Sequence, residues 1–160
     1  PPAEIEKYIP DEKKKDLPYI DIIESIARSA SNQTHGTTIV FTTKAEKESQ
    51  RLSLFNRCAQ IEPVELTGND NLILSLTSID GALIADFDGK CYGIGAILDG
   101  EAVKAGKLGR GARFNSAQNY VAWQKKKNPD DLFCVIIISE DGIIDVLSTS
   151  IIDNEDDEFN

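Results

Sequence analysis

Three short segments of the sequence combine charged or hydroxyl side chains with glycine in patterns suited to binding phosphate groups. They are Asp-Gly-Ala at residues 80–82, Gly-Arg-Gly-Ala-Arg-Phe-Asn-Ser at 109–116 and Ser-Glu-Asp-Gly at 139–142. Each segment lies at the end of a predicted strand or at the start of a predicted helix. Ligands of mixed α/β sheets commonly bind at such places, so the three segments are candidates for one shared site.

Asp80 is the candidate metal ligand of the first segment. It precedes two small residues, Gly81 and Ala82, and then an apolar strand. A carboxylate here could hold a divalent cation, and the glycine lets a ligand approach the backbone closely. A turn aspartate at a strand entry is the simpler interpretation, and the local pattern taken alone favours it.

The glycine-rich segment ends where a helix is predicted to begin. Free amide groups and the helix dipole make such a junction a site for phosphate. Arg113 adds a planar cation suited to phosphate oxygens, and Asn115 and Ser116 add short polar side chains. An ordinary helix cap explains the loop about equally well. However, an arginine in the first turn of a helix is unfavourable without an anion, which favours phosphate.

The remaining polar residues with possible chemistry have simpler interpretations. Ser139 and Glu140 close a buried strand, and adjacent acids in a tight hairpin usually serve the turn. His35 is the only histidine, and with no visible partner it is predicted to be structural. No nucleophile-elbow pattern supports a serine hydrolase triad.

The elements that must position these segments are read from hydrophobic periodicity and turn residues. Helical spacing predicts helices over residues 19–31, 44–59 and 114–126, and a short helix or a turn over 71–78. A β-branched apolar run predicts a buried strand over 37–43. Two Asp-Gly turns predict hairpins over 82–98 and 133–147. This order predicts an α/β fold with a mixed central sheet surrounded by helices.

Composition bounds the function further. The 160 residues are predicted to form a loose leader over 1–18, one domain over 19–150 and an acidic tail over 151–160. The net charge of -10 disfavours nucleic-acid partners, although the local cations Lys104, Lys107, Arg110 and Arg113 could favour a small anion. No apolar run approaches the roughly 20 residues that span a bilayer, so no membrane contact is expected.

The three cysteines point to a reducing compartment. Cys58, Cys91 and Cys134 are odd in number and lack the spacing of a zinc site or a disulfide framework. Each has apolar neighbours, so each is predicted to be a buried small hydrophobic residue. We therefore expect a cytoplasmic protein.

Together the three segments resemble the diadenylate cyclase domain, also called the DisA-N domain. That family carries Asp-Gly-Ala at a strand start, Gly-Thr-Arg-His-Arg-Ala at a later helix start and, in many members, a Ser-Glu-Glu-like stretch at a strand end. Residues 80–82 match the first element fully, and residues 111–117 keep the glycine and first arginine of the second. Residues 139–142 align with the third, and 35–41 resemble the family's early core strand. The resemblance covers roughly residues 20–150.

The resemblance implies an enzyme that condenses two ATP into cyclic di-AMP plus pyrophosphate. The reaction would take place across a face-to-face dimer or higher oligomer, with Mg or Mn as the metal. By carry-over, Asp80 would bind the metal and, with Arg113, act in catalysis. The remaining family positions would bind the nucleotide, with Leu98 packing on adenine: Gly81, Ala82, Leu98, Gly111, Ala112, Asn115, Ser116, Ser139 and Glu140.

One motif departs from the family. Its Arg-His-Arg is Arg113-Phe114-Asn115 here, and losing one charged phosphate contact costs about 1.5–3 kcal/mol. Arg110, Lys107 or Asn115 could compensate in an active cyclase. The alternatives are a catalytically inactive sensor that binds ATP or cyclic di-AMP, and a purely structural assembly domain. The retained Asp-Gly-Ala motif favours the cyclase.

Overall fold

A computed structural model describes residues 19–100 and 111–149. The predicted leader, the acidic tail and the cations Lys104, Lys107 and Arg110 lie outside these residues. The elements in chain order are α1 (Ile20–Ala30), β1 (Thr37–Thr42), α2 (Ala45–Leu54), β2 (Ala59–Glu65), α3 (Asp70–Thr77), β3 (Ala82–Ala85), β4 (Lys90–Ala96), α4 (Ala112–Lys127), β5 (Phe133–Ile138) and β6 (Ile144–Ser148).

The described strands form one mixed sheet in the order β2-β4-β3-β1-β5-β6. β1 pairs in parallel with β3, with Thr38 opposite Ala82, and antiparallel with β5, with Thr37 opposite Ile138. The other neighbours pair antiparallel. β1 and β5 are buried along their whole length, as expected for inner strands rich in β-branched residues. The predicted α/β class with a mixed sheet is confirmed.

Helices cover both faces of the sheet. Alternate residues of a strand point to opposite faces, and two core clusters result. Ile39 of β1 packs with Ile23 of α1 and Ile73 of α3, whereas its neighbour Val40 packs with residues of α2 and α4. Of these helices, α3 on the first face and α4 on the second approach the candidate site. Within the described residues, no helix is both long and apolar enough to span a membrane.

The region between α2 and α3 differs from the sequence prediction. A helix over 44–59 was expected, but α2 ends at Leu54, and Asn56 has a left-handed φ of 58° that breaks the helix. Phe55 and Ala59, expected on the buried face, are exposed. The chain then forms the edge strand β2, which was not predicted.

The cysteines also differ in part from expectation. Burial raises the pKa of the Cys91 thiol to about 11 and that of Cys134 to about 12, so both are the buried hydrophobic residues predicted. Cys58 is only half-buried, because it follows the unexpected turn after α2. No pair of them forms a disulfide.

Candidate functional site

A cavity of about 620 Å³ opens at one edge of the sheet, where β1 and β3 begin and β4 and β5 end. The first turn of α4 and the last turn of α3 close its sides. The cavity therefore lies at the amino ends of the parallel pair β1 and β3. Its volume falls within the roughly 300–1,000 Å³ typical of small-molecule sites.

The cavity brings together most of the site residues predicted from the sequence. Its lining includes residues of all three motif segments, which are far apart in the chain but adjacent through the pairing of β3, β1 and β5. The predicted residues in the lining are Asp80, Gly81, Ala82, Leu98, Ala112, Arg113, Ser116 and Glu140. The predicted residues outside the lining are Gly111, Asn115 and Ser139.

The Asp-Gly-Ala segment lies directly against the end of β4. Gly81 has a φ of +104°, and a Cβ added there would lie 2.6 Å from the carbonyl carbon of Gly95. Only glycine accommodates both the left-handed backbone and this contact. The exposed carboxylate of Asp80 has no hydrogen bond or ion pair with another described side chain. It is therefore available to a ligand in the cavity.

Arg113 lines the cavity from the first turn of α4. Its guanidinium lies against Gly36, where an added Cβ would be 2.6 Å from Nη1 and 2.8 Å from Cζ. The absence of a side chain at Gly36 thus makes room for Arg113 at the entry to β1. The helix begins after Gly111, whose φ is 85°, with no side-chain cap and no acidic residue in its first turn. The start of a helix in this form leaves its first amides without intrahelical partners, so the predicted anion site stays a prediction here.

Of the three predicted residues outside the lining, Gly111 and Ser139 have local roles. Gly111 is the N-cap residue of α4, and its carbonyl accepts the amide of Asn115 at 3.2 Å. Asn115 is half-buried, and its Oδ1 has no partner among the described residues. Ser139 Oγ accepts the amide of Ile143 at 3.1 Å, so its hydroxyl serves the turn between β5 and β6. That turn directs Glu140 toward the cavity.

Several lining residues were not found from the sequence. Gly36 and Thr38 reach the cavity through the register of β1, and Gly95 to Ile97 through the end of β4. Thr77 ends α3 and accepts a hydrogen bond from Gln33 Nε2 at 3.0 Å. None carries a sequence signal of its own, because each becomes a site residue only through pairing with a distant segment. His35, predicted to be structural, is exposed at the cavity wall.

The cavity lining contains two carboxylates, the type of side chain that binds divalent metals. Among residues 19–100 and 111–149, no three His, Cys, Asp or Glu side chains cluster as a complete metal site. Asp80 and Glu140 both line the cavity, on either side of β1. Magnesium is usually held by one or two carboxylates, with substrate phosphates and water completing its shell. An incomplete set of protein ligands is therefore compatible with such a metal.

Comparison with known proteins identifies the family. Residues 24–152 match the family described as DAC, the DisA bacterial checkpoint controller nucleotide-binding domain. Because the match covers more than half of the chain, the protein belongs to this diadenylate cyclase family. No curated protein matches the sequence significantly.

A solved structure agrees with the fold. A crystal structure of a double mutant of DacA from Staphylococcus aureus superposes with a TM-score of 0.52 at 18% sequence identity. The match covers 79% of this chain and 81% of the DacA chain. At this identity the similarity supports the fold, and the chemistry must be inferred from the cavity itself.

Proposed function

We propose that the protein is a diadenylate cyclase that condenses two ATP into cyclic di-AMP. The observation that carries the proposal is one cavity with the carboxylate of Asp80 on one wall and the guanidinium of Arg113 on another. Phosphoryl transfer needs positioning and charge neutralisation more than covalent participation by the protein. A carboxylate for a cation and an arginine for phosphate oxygens meet both needs.

Each half of the proposed reaction transfers one adenylyl group. The 3′-hydroxyl oxygen of one ATP forms a bond to the α-phosphorus of the other. The bond from that phosphorus to the bridging oxygen of pyrophosphate breaks, and the hydroxyl loses its proton. Repeating the step in the opposite direction closes the ring, so two ATP yield one cyclic di-AMP and two pyrophosphate. A bound Mg or Mn ion would supply charge neutralisation at the phosphates.

The residues of this chain have separate roles in the proposal. Asp80 would hold the metal, and Glu140 would assist the metal or the triphosphate. Arg113 and the first amides of α4 would hold phosphate oxygens, while Ser116 adds a hydroxyl one turn into the helix. Leu98 supplies apolar surface for the adenine base. Gly81 allows the nucleotide to lie close to the backbone.

The reaction requires two copies of the chain. The described cavity has room for one nucleotide, whereas the ring contains two identical linkages. A two-fold symmetric pair of protomers facing each other would bring both nucleotides together. With a net charge of -10, copies of the chain repel one another, and salt should partly relieve this. We therefore expect specific activity to rise with protein concentration.

The first experiment is product analysis after incubation with ATP and Mg or Mn. Cyclic di-AMP and pyrophosphate should form, and Asp80→Asn should lower the rate about a hundredfold or more, since a metal carboxylate contributes about 3 kcal/mol or more. Asp88→Asn is the matched control, because Asp88 is exposed in the β3–β4 turn at the opposite end of the sheet. Equal rates for Asp80→Asn and the control would remove Asp80 from the mechanism.

A dilution series tests the need for two protomers. Specific activity should fall on dilution, in parallel with a shift toward monomeric mass by light scattering. A constant specific activity from a species that is monomeric at every concentration would contradict the face-to-face arrangement.

An inactive sensor of ATP or cyclic di-AMP is the second candidate. It is favoured by the charges of the described lining, where Arg113 is the one Lys or Arg side chain beside two carboxylates. Under this candidate ATP binds but no product forms with either metal. Whether the protein is a cyclase or a sensor, Arg113→Ala should weaken binding of ATP more than binding of adenosine. Equal losses for the two ligands would show that Arg113 does not contact phosphate.

A further inference from the structure

A partly buried ion-pair network lies between α2, α4 and the segment that follows β4. At its centre is Glu48 of α2, which is only 6% exposed. Its Oε2 accepts hydrogen bonds from Tyr120 Oη at 2.6 Å, Gln124 Nε2 at 2.9 Å and Arg51 Nη2 at 2.9 Å. Its Oε1 accepts from Arg51 Nε at 2.8 Å. The carboxylate is therefore fully engaged, as a buried charge must be.

Arg51 connects this carboxylate to a second one. Its Nη2 donates to Asp99 Oδ1 at 2.8 Å and its Nη1 to Asp99 Oδ2, while its Cζ lies 4.8 Å from the centre of the Trp123 ring. Hydrogen bonds to Asp99 and then to Glu48 raise the pKa of Arg51 above its ordinary value. Burial, reinforced by the charge of Glu48, raises the pKa of Tyr120 well above its usual range, so its hydroxyl stays a donor.

Asp99 is the residue directly after Leu98, which lines the cavity. β4 ends at Ala96, and the amide of Ile97 donates to the carbonyl of Arg57 at 2.7 Å. Beyond that bond, Leu98 is no longer part of the sheet ladder. The next described polar contact along the chain is the two-pronged ion pair of Asp99 with Arg51. Leu98 itself packs against the second core cluster, and the ion pair of Asp99 adds a directional polar contact to this cavity wall.

The same network also reaches the phosphate side of the cavity. Tyr120 lies one helical turn after Ser116 on α4, and Gln124 lies one turn further. Both side chains donate to Glu48, and Arg51 joins Glu48 to Asp99. The register of α4 and the position of Asp99 are therefore both tied to the ion pair of Glu48 with Arg51. A directional ion pair fixes an orientation that an apolar contact of similar volume would leave less defined.

We propose that Glu48, Arg51 and Asp99 are positioning residues that hold the Leu98 wall of the cavity in register with the first turn of α4. They touch no ligand in this role and act through Leu98 on one side and through α4 on the other. The identity of the ligand rests on the proposed function, with the base of a nucleotide on the Leu98 side and phosphates on the Arg113 side.

The test compares ligands that use one side of the cavity or both. Asp99→Asn keeps the size of the side chain and removes its charge. It should weaken binding of adenosine and ATP by about three- to tenfold. Binding of inorganic triphosphate, which contacts only the phosphate side, should change by less than about twofold.

Asp131→Asn is the matched control. Asp131 is paired with Lys44 at 4.0 Å, and its side chain is 21% exposed, close to the 26% of Asp99. It lies at the far end of β1 and β5, where Thr42 pairs with Phe133, away from the cavity. This variant should bind all three ligands as the unchanged protein does. Equal losses of adenosine and triphosphate affinity in Asp99→Asn would overturn the positioning role in favour of general destabilisation.

A ligand-free measurement separates this inference from the proposed function. Hydrogen–deuterium exchange should accelerate over residues 97–100 in Asp99→Asn, with α1 and β5 unchanged. Unchanged exchange at residues 97–100 would overturn the inference whatever the ligand is. Should the unchanged protein bind neither ATP nor adenosine, the proposed function fails, and local acceleration at 97–100 would still support the ordering of this wall by Asp99.

Discussion

Replacing Gly36 by alanine should displace the guanidinium of Arg113 from the cavity without changing any charge. A Cβ at Gly36 would lie 2.6 Å from Nη1 and 2.8 Å from Cζ of Arg113, closer than non-bonded atoms approach. Since these atoms are the far end of a flexible side chain, Arg113 would move and the backbone would stay. The carbonyl oxygen of Ile138, 3.1 Å from the added carbon, needs to shift by only a few tenths of an ångström.

The expected magnitudes differ for stability and for binding. Alanine suits the backbone at Gly36, whose φ lies outside the left-handed region, and it lowers the entropy of the unfolded chain. The free energy of unfolding should therefore change by less than about 1 kcal/mol. A charged phosphate contact is worth about 1.5–3 kcal/mol, or about ten- to a hundredfold in affinity. Gly36→Ala, which displaces Arg113, should lower ATP affinity by the lower part of this range. Arg113→Ala, which removes the guanidinium, should give the largest loss of ATP affinity.

Calorimetric titration of ATP into four proteins measures the effect: the unchanged chain, Gly36→Ala, Arg113→Ala and the double variant. If Gly36 acts through Arg113, its substitution should have almost no effect once Arg113 is alanine. Adenosine affinity should be nearly the same in all four. A loss from Gly36→Ala that persists in the Arg113→Ala background would refute the reasoning, as would a loss of several kcal/mol in stability.

Two further predictions concern the folded scaffold. Gly81→Ala should lower the free energy of unfolding in urea more than Gly68→Ala does. Both glycines have a positive φ, so an alanine at either position costs about 1–2 kcal/mol in backbone strain. Only an alanine at Gly81 would also clash with the backbone of Gly95. Equal losses would contradict that clash. Stability should also fall as pH rises above about 9, since burial raises the folded-state pKa of Cys91 to about 11 and of Cys134 to about 12. A thiol whose pKa is higher in the folded state than in the unfolded state contributes fully to stability at pH values below its unfolded-state pKa. As the pH rises toward the folded-state pKa, this contribution to stability falls by about 1.4 kcal/mol per pH unit for each thiol. Thermal unfolding between pH 7 and 11 measures this, and Cys134→Ala should make the decline shallower.

The inner elements of the fold could be predicted because their sequence signals agree with their surroundings. β1 and β5 are runs of β-branched and apolar residues that are buried on both faces. The Asp88-Gly89 turn, where Gly89 has a φ of +91°, marks the hairpin of β3 and β4 as expected. In each case local propensity and tertiary position favour the same structure.

β2 could not be predicted, because a strand at the edge of the sheet carries a weak sequence signal. It is an edge strand, with residues that are exposed or only partly buried, so no alternation of apolar residues marks it. Pro63 lies between Gln60 and Val64, where the pairing with β4 shifts register. Proline is tolerated at an edge strand or a bulge, although in a sequence it argues against a strand. Only the pairing with β4 identifies this segment.

The motif residues of the candidate site could be predicted from the sequence, but the residues that position them could not. Asp80 and Arg113 carry local signals of residue type and spacing. By contrast, the contact of Gly36 with Arg113 and the ion pair of Arg51 with Asp99 join segments that are distant in the chain. A single sequence contains no record of such pairs. They became visible once the sheet register and the packing of α2 against α4 were known.

The structure shows where the residues that depart from the family motif lie. Phe114, at the position where the resembling family has histidine, is 3% exposed and packs in the core beneath α4 with Ala82 and Val40. A phenyl ring there adds to the apolar packing, and it leaves the cavity wall to its neighbour Arg113. The polar loss at the phosphate side therefore concerns Asn115, whose Oδ1 is buried without a described partner. Turnover in this chain therefore requires Arg113 and a bound cation together to neutralise the triphosphate, and product formation with Mg or Mn is the test.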